Sequence, residues 1–231
     1  MHRSTGTPER IETRAWVRVA SRLSRLLGSA AIGACASRPP APAASAPSLD
    51  LGKAPPGVRV VVTYHTYPIT ASTLREMRQA IAGSGPMSGG RRWDGVTNAS
   101  LRWQYAFDSS PAGCRIRDER TNVDVRITMP EWRPDAEADE GTKLWWARYH
   151  AALMEHERGH GRLAVEAAAE IVRQLRLVPV GSRCEEVSAR AGRIGPTQLQ
   201  LLRARQAQYD RETNHGAVQI REATRLNAGA P

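Results

Sequence analysis

Residues 143–175 read KLWWARYHAALMEHERGHGRLAVEAAAEIVRQL, a run with no proline and rich in alanine, leucine, glutamate and arginine. That composition favours a helix, because straight-chain side chains lose little rotamer freedom there and nothing removes a backbone donor. Leu144, Trp145, Tyr149, Leu153 and Met154 fall at helical spacing, and Leu163, Val165, Ala167 and Ile171 continue the apolar pattern. Between the two halves stands His156-Glu157-Arg158-Gly159-His160.

Working outward from this helix, the preceding half reads as strands. Val58 to Tyr67 is rich in β-branched and aromatic residues. Thr70 caps a short predicted helix from Ala71 to about Ala82, with Leu74, Met77 and Ile81 on one face. Gly83 and Gly85-Pro86 stop it, and a glycine-rich loop runs through Gly89-Gly90. Ala99 to Phe107 alternates, with Leu101, Trp103 and Tyr105 on one side. After a turn at residues 109–113, Cys114 to Met129 reads as a long antiparallel strand with one wet face, ended by Pro130. On the other side of the long helix, Pro179 and Gly181 break the chain. A last helix is predicted from about Glu185 to Thr213, interrupted near Gly195-Pro196 and ended by Asn214-His215-Gly216. Strands first and helices second predict an α+β fold: N-terminal antiparallel strands with a short helix, then the long helix, then a C-terminal helix.

The 231 residues carry a net charge of +10. Residues 1–35 hold six arginines against Glu9 and Glu12, a net +4, which leaves +6 for the rest. There the arginines are dispersed among acids with almost no lysine, a pattern that gives nucleic-acid binding little support. No run of eighteen apolar residues predicts a membrane span. A basic region ending at Arg25, the short apolar stretch from Leu26 to Ala34, and small residues at its end have the order of an export signal. Cys35 after Ile32-Gly33-Ala34 resembles the cysteine that bacterial lipoproteins modify, and it predicts a lipid anchor; a plain Arg/Ala/Ser leader is the competing reading. Residues 36–57 are rich in Ala, Pro and Ser and read as a tether. The division is then 1–35 export signal, 36–57 linker, 58–220 folded domain and 221–231 tail, placing the domain in the periplasm or anchored at the outer membrane. With Cys35 set aside, Cys114 and Cys184 are an even pair, most simply a disulfide in an exported domain; two buried thiols in a reducing compartment would be the alternative.

Residues four apart on a helix lie about 40° apart around the axis and about 6 Å along it. His156 and His160 therefore point the same way and can take two positions of a tetrahedral Zn²⁺. Glu157, about 100° round the helix, lies beside such a metal, where it can act as general base towards a water that zinc acidifies. Random placement gives His-Glu-x-x-His in roughly one chain in a hundred of this composition, so the match is informative without being decisive. A catalytic zinc needs a third protein ligand. Glu166 is ten residues beyond His156, but on an unbroken helix it points about 80° away and sits about 15 Å along the axis; Glu170 is further still. The segment Tyr209-Asp210-Arg211-Glu212-Thr213-Asn214-His215-Gly216 offers His215 or Asp210, provided the last helix packs against the first. Tyr209 is a packing group or an oxyanion donor. His65, His150, Trp145 and Trp146 read as packing or surface residues.

From about Tyr64 to Gly216 the chain resembles a bacterial family, domain of unknown function 922, described as predicted secreted zinc-dependent proteases. The resemblance rests on Tyr64, Thr70, Leu74-Arg75, Gly85-Pro86, Gly95-x-Thr97, Trp103, Gly113-Cys114 and the Val123 to Pro130 strand with Trp132. It continues through Trp146, Tyr149, His156-Glu157-x-Gly159-His160, Cys184 and Tyr209-Asp210-x-x-Thr213-x-His215-Gly216. Gln219-Ile220 departs from the Gln-Gly that the family pattern leads one to expect. The resemblance implies a disulfide-compatible cysteine pair, an active His-Glu-x-Gly-His helix and a function for the Tyr209–Gly216 segment. Together the readings predict an exported zincin-like peptidase with His156, His160 and His215 on Zn²⁺, Asp210 orienting a ligand or replacing His215, and Glu157 as base. Its partner would be a peptide or protein substrate, which the Val123 to Met129 strand could pair with. The alternative is a non-catalytic cell-envelope protein that binds metal or envelope polymer.

Overall fold

The computed structural model describes residues 10–16, 51–134 and 138–225, the first stretch in backbone only. The order of elements is β1 (Arg10–Trp16), β2 (Val58–Ile69), α1 (Leu74–Ser84), β3 (Met87–Ser88), β4 (Arg91–Arg92), β5 (Val96–Ser110), β6 (Gly113–Trp132), α2 (Glu140–Arg176), α3 (Cys184–Thr213) and α4 (Ala217–Arg225). The α+β expectation holds: strands and a short helix come first, the long helix and its C-terminal partners second.

The four-stranded sheet has the order β1-β5-β6-β2. It is mixed rather than antiparallel throughout. β5 and β6 form a long antiparallel hairpin, while β2 lies parallel to β6, from Val58 opposite Thr121 to Ile69 opposite Trp132. The parallel pairing arises because α1 and the β3–β4 hairpin carry the chain away before β5 returns. β6 is therefore flanked on both sides, so Val123 to Met129 has no free edge with which to bind an extended peptide. β6 also runs through Pro130, which pairs in register with Tyr67. β1 adds antiparallel to β5, from Arg10 opposite Ala106 to Trp16 opposite Ser100. This strand falls within the stretch read as the basic leader; the rest of that stretch, Cys35 included, lies outside the described residues.

The core lies between the sheet and α2. Leu101, Trp103 and Tyr105 of β5 and Val123, Val125, Ile127 and Met129 of β6 are buried against Leu153, Ala164, Ala168, Ile171 and Leu175 of α2. Strand period two and helix period 3.6 thus meet in one layer. Leu51, inside the predicted tether, is buried in the same core, and a Cβ on Gly161 would touch it at 3.0 Å. Leu144, by contrast, is 47% exposed and leaves the predicted stripe.

Helix ends follow local chemistry. α1 starts later than predicted, because Thr73 rather than Thr70 caps it in a capping box with Glu76. Asp139 caps α2 by accepting from the Thr142 amide. α3 is not interrupted at Gly195-Pro196: the helix carries Pro196 in its interior. What Gly195 provides is room, since a Cβ there would fall 1.9 Å from the Trp103 ring. α4 runs through the expected start of the tail to Arg225. Cys114 and Cys184 form a disulfide across 70 residues, joining the start of β6 to the start of α3. In the chain-entropy account a loop of that length contributes about 4 kcal/mol. The bridge and the α2–α3 packing bring the far end of α3 over the middle of α2.

Candidate metal centre

His156 and His160 stand one turn apart on α2 and face α3. Their Nε2 atoms are 3.3 Å apart, with the rings edge to face. Asp210, in the last turn of α3, brings Oδ1 to 3.1 Å from His160 Nε2 and 3.5 Å from His156 Nε2. The three ligand atoms lie within 4.8 Å of one another, and the group could hold a metal ion.

The hydrogen-bond network fixes how both rings are protonated. Thr213 Oγ1 donates to the Tyr209 carbonyl at 2.7 Å and accepts from the Gly216 amide at 3.4 Å. Its proton is spent, so at 3.3 Å it accepts from His156 Nδ1–H. Gln206 donates its amide nitrogen to the His160 carbonyl at 3.1 Å, which turns its oxygen towards His160 Nδ1 in a close contact. That nitrogen also carries hydrogen. In the neutral rings both Nε2 atoms therefore present lone pairs to the Asp210 carboxylate, an arrangement that repels itself unless a cation or a proton lies among the three. Burial alone would lower the His160 pKa, but the hydrogen bond and charge of Asp210 outweigh it and raise it. Burial alone would raise the Asp210 carboxyl; its hydrogen bonds with His156 and His160 and the charges of His160 and His215 hold it well below the usual carboxylate range. A proton on His160 or a metal ion would each relieve that repulsion, and binding the metal would displace the proton.

Beyond Asp210 the chain turns through three left-handed residues, Asn214 (φ 48°), His215 (φ 52°) and Gly216 (φ 82°). Two of them are not glycine, a conformation that costs free energy and clusters at functional sites. The turn lays Gly216 against His156, where a Cβ would come 3.0 Å from His156 Cγ. It also sets His215 beside Asp210, with Nδ1 3.5 Å from Oδ1. The His215 ring tilts against Trp93 at 4.6 Å between centroids, and its side chain is 42% exposed. The structure thus groups His156, His160 and Asp210, with His215 adjoining that group through Asp210.

Glu157 points to the sheet instead. It is buried, and its Oε2 accepts from Thr97 Oγ1 at 2.7 Å; the same hydroxyl lies 3.0 Å from the Glu157 carbonyl. A Cβ on Gly95 would fall 2.8 Å from Oε1. Burial raises the Glu157 pKa against the opposing hydrogen bond from Thr97 and the charges of His160 and His156. The loop before β5 is pinned on several sides. Tyr67 donates to the Asp94 carbonyl at 2.7 Å, and Tyr149 of α2 donates to the Asp94 carboxylate at 2.8 Å. Trp93 donates from its indole to the Ser88 carbonyl and lies under the Arg91 guanidinium.

Tyr209 is a wall of this site. Its ring stacks on His156 at 5.1 Å and meets His160 edge-on at 5.0 Å, while its hydroxyl accepts from Gln219. A Cβ on Gly159 would strike that hydroxyl at 2.2 Å, which explains glycine inside the motif. Glu166 pairs with Arg205 of α3, and Glu170 with Arg173 and Gln174 on its own helix. His65 is exposed on β2, and His150 lies half-buried against the Trp146 ring. Sequence reasoning missed Gln206, Trp93, and the contacts of Gly95 and Thr97 with Glu157. Gln206 carries a readable signal, for it precedes Asp210 by one helical turn, but only once α3 is known to face α2.

No curated protein and no solved structure matches the chain. Residues 64–216, from β2 through the left-handed turn that carries His215, match the model of a family described as bacterial protein of unknown function (DUF922), and the chain belongs to that family.

Proposed function

We propose that this protein is an exported zinc-dependent peptidase, with His156, His160 and Asp210 as the protein ligands and Glu157 as general base. The observation that carries the reading is the spacing of the three donor atoms, 3.3, 3.1 and 3.5 Å. Nitrogen and oxygen ligands at 2.0–2.2 Å from a tetrahedral zinc stand about 3.3–3.5 Å from one another. Both Nδ1 atoms are engaged by oxygen, an outer shell of the kind that orients metal-binding imidazoles and leaves Nε2 to face a metal.

A zinc ion held there would acidify a water and polarise a peptide carbonyl. Glu157 takes the proton from the attacking water and returns it to the leaving amine. Burial suits the task, because it moves the carboxyl up towards the working pH. A metal site that serves only stability has no need of a buried carboxylate next in sequence to a ligand and coupled by charge to both histidines. Export agrees with the Cys114–Cys184 disulfide, since such bridges persist in oxidising compartments.

The test is metal analysis of the purified chain after dialysis, followed by incubation with a quenched fluorescent peptide library. One zinc per chain, with hydrolysis that a chelator abolishes and zinc restores, is the expected result. A chain that binds no metal, or binds it and cleaves nothing, contradicts the reading.

A further inference from the structure

We propose that Gly95, just before β5, and Thr97, near its start, are positioning residues that assign separate tasks to the two oxygens of Glu157. The inference rests on Glu157 being the base, and it says which oxygen acts and what holds it.

The Thr97 hydroxyl has one proton, and the carboxylate oxygen Oε2 is its nearest acceptor at 2.7 Å, with the carbonyl of the same glutamate at 3.0 Å. Both acceptors belong to one residue, so the hydroxyl ties the end of the side chain to its own backbone and restricts its rotation. Oε2, already accepting from Thr97, is the weaker base of the two. Oε1 is left to take the proton. Its neighbour is Gly95, where an ordinary Cβ would intrude to 2.8 Å. Glycine at that position makes room for Oε1, which a side chain there would displace.

The support for this cradle is itself rigid. Asp94, next to Gly95, is held by Tyr67 from β2 and by Tyr149 from α2. Tyr149 lies two turns before Glu157 on the same helix. α2 thus fixes the loop through Tyr149, and the strand that follows the loop fixes Glu157 through Thr97. Neither Gly95 nor Thr97 belongs to the group that could hold the metal. Substitution there should disturb the base without disturbing the ligands.

Two variants attack the cradle from opposite sides. Thr97→Val keeps the shape and removes the donor. Gly95→Ala keeps the donor and pushes on Oε1; Gly95 has no positive φ and the nearest atom is the end of a side chain rather than backbone, circular dichroism checks that the variant folds, and Thr97→Val tests the claim independently. Thr97→Ser is the rescue. Each is loaded with zinc, and the metal content, the kcat and KM on cleaved library peptides, and the ¹³C carboxyl resonance of Glu157 in [5-¹³C]glutamate-labelled protein are measured. Expected are full zinc content in all, kcat lowered about tenfold to a hundredfold in Thr97→Val and Gly95→Ala with KM little changed, and near-normal kcat in Thr97→Ser. The Glu157 resonance should move in the first two and return in the third. Unchanged kcat in Thr97→Val, no recovery in Thr97→Ser, or loss of zinc from either variant would overturn the proposal. Should the wild-type chain cleave nothing, the peptidase reading fails by itself. A Glu157 resonance that Thr97→Val leaves unmoved would then overturn the positioning claim separately.

Discussion

The two sides of α2 at the motif are built differently. His156 and His160 face another helix, where Asp210, Gln206, Thr213 and Tyr209 come from within two turns at the end of α3. Glu157 faces the beginning of a strand, where a threonine hydroxyl and a missing side chain receive it. The helical side saturates each imidazole with oxygen partners and converges lone pairs on one point. The strand side ties one carboxylate oxygen to Thr97 and sets the other against Gly95. Metal ligands and a base that moves a proton have opposite requirements, and on the proposed reading different elements would meet them. It follows that the two sides should fail separately.

The largest effect is expected at Asp210. Asp210→Ala removes a donor atom, and titration with zinc should show a loss of affinity greater than the tenfold to hundredfold typical of outer-shell changes. His215→Ala should retain the metal; equal loss in both variants would make His215 a ligand as well. Next come the oxygens behind the imidazoles. Gln206→Ala or Thr213→Val should each weaken zinc by about tenfold to a hundredfold, read in the same titration, while the Glu157 carboxyl resonance stays in place. Gly159→Ala should displace Tyr209 from His156 and lower stability by about 1–3 kcal/mol, measured by denaturant unfolding of the metal-free chain.

The smallest effect belongs to the strand side and depends on pH. Burial raises the folded-state pKa of Glu157 above its ordinary 4.5. Between the unfolded and folded values the native state holds the extra proton, so stability falls as pH rises through that window. Glu157→Gln removes the titration and keeps an oxygen for Thr97. In metal-free protein the variant should gain stability relative to wild type at neutral pH and lose that advantage near pH 4. Parallel melting curves across pH would contradict the burial argument.

The same contrast explains what was legible in the sequence. The long helix, its motif and the α+β order could be read because helical spacing and strand alternation are local patterns. Cys114 and Cys184 could be paired by arithmetic. Asp210 and His215 stood together in one short segment, and choosing between them required knowing how the turn at Asn214–Gly216 curls. The parallel partnership of β2 with β6 could not be read, since period two is the same for either direction. Pro196 looked like a break because the room for Trp103 that Gly195 provides is a tertiary fact. The contacts of Thr97 and Gly95 with Glu157, some sixty residues away in sequence, were invisible for the same reason. Neither residue type announces catalysis. Only the approach of β5 to α2 gives them meaning.

The central claim is that one side of α2 holds metal while the other works a base. The most direct measurement compares the wild-type chain with Glu157→Gln, each carrying a measured zinc content, on the same peptide library. Equal zinc, with hydrolysis in the wild type and a loss of several orders of magnitude in the variant, is the predicted result. Equal hydrolysis by both proteins, or loss of zinc from the variant, would contradict it.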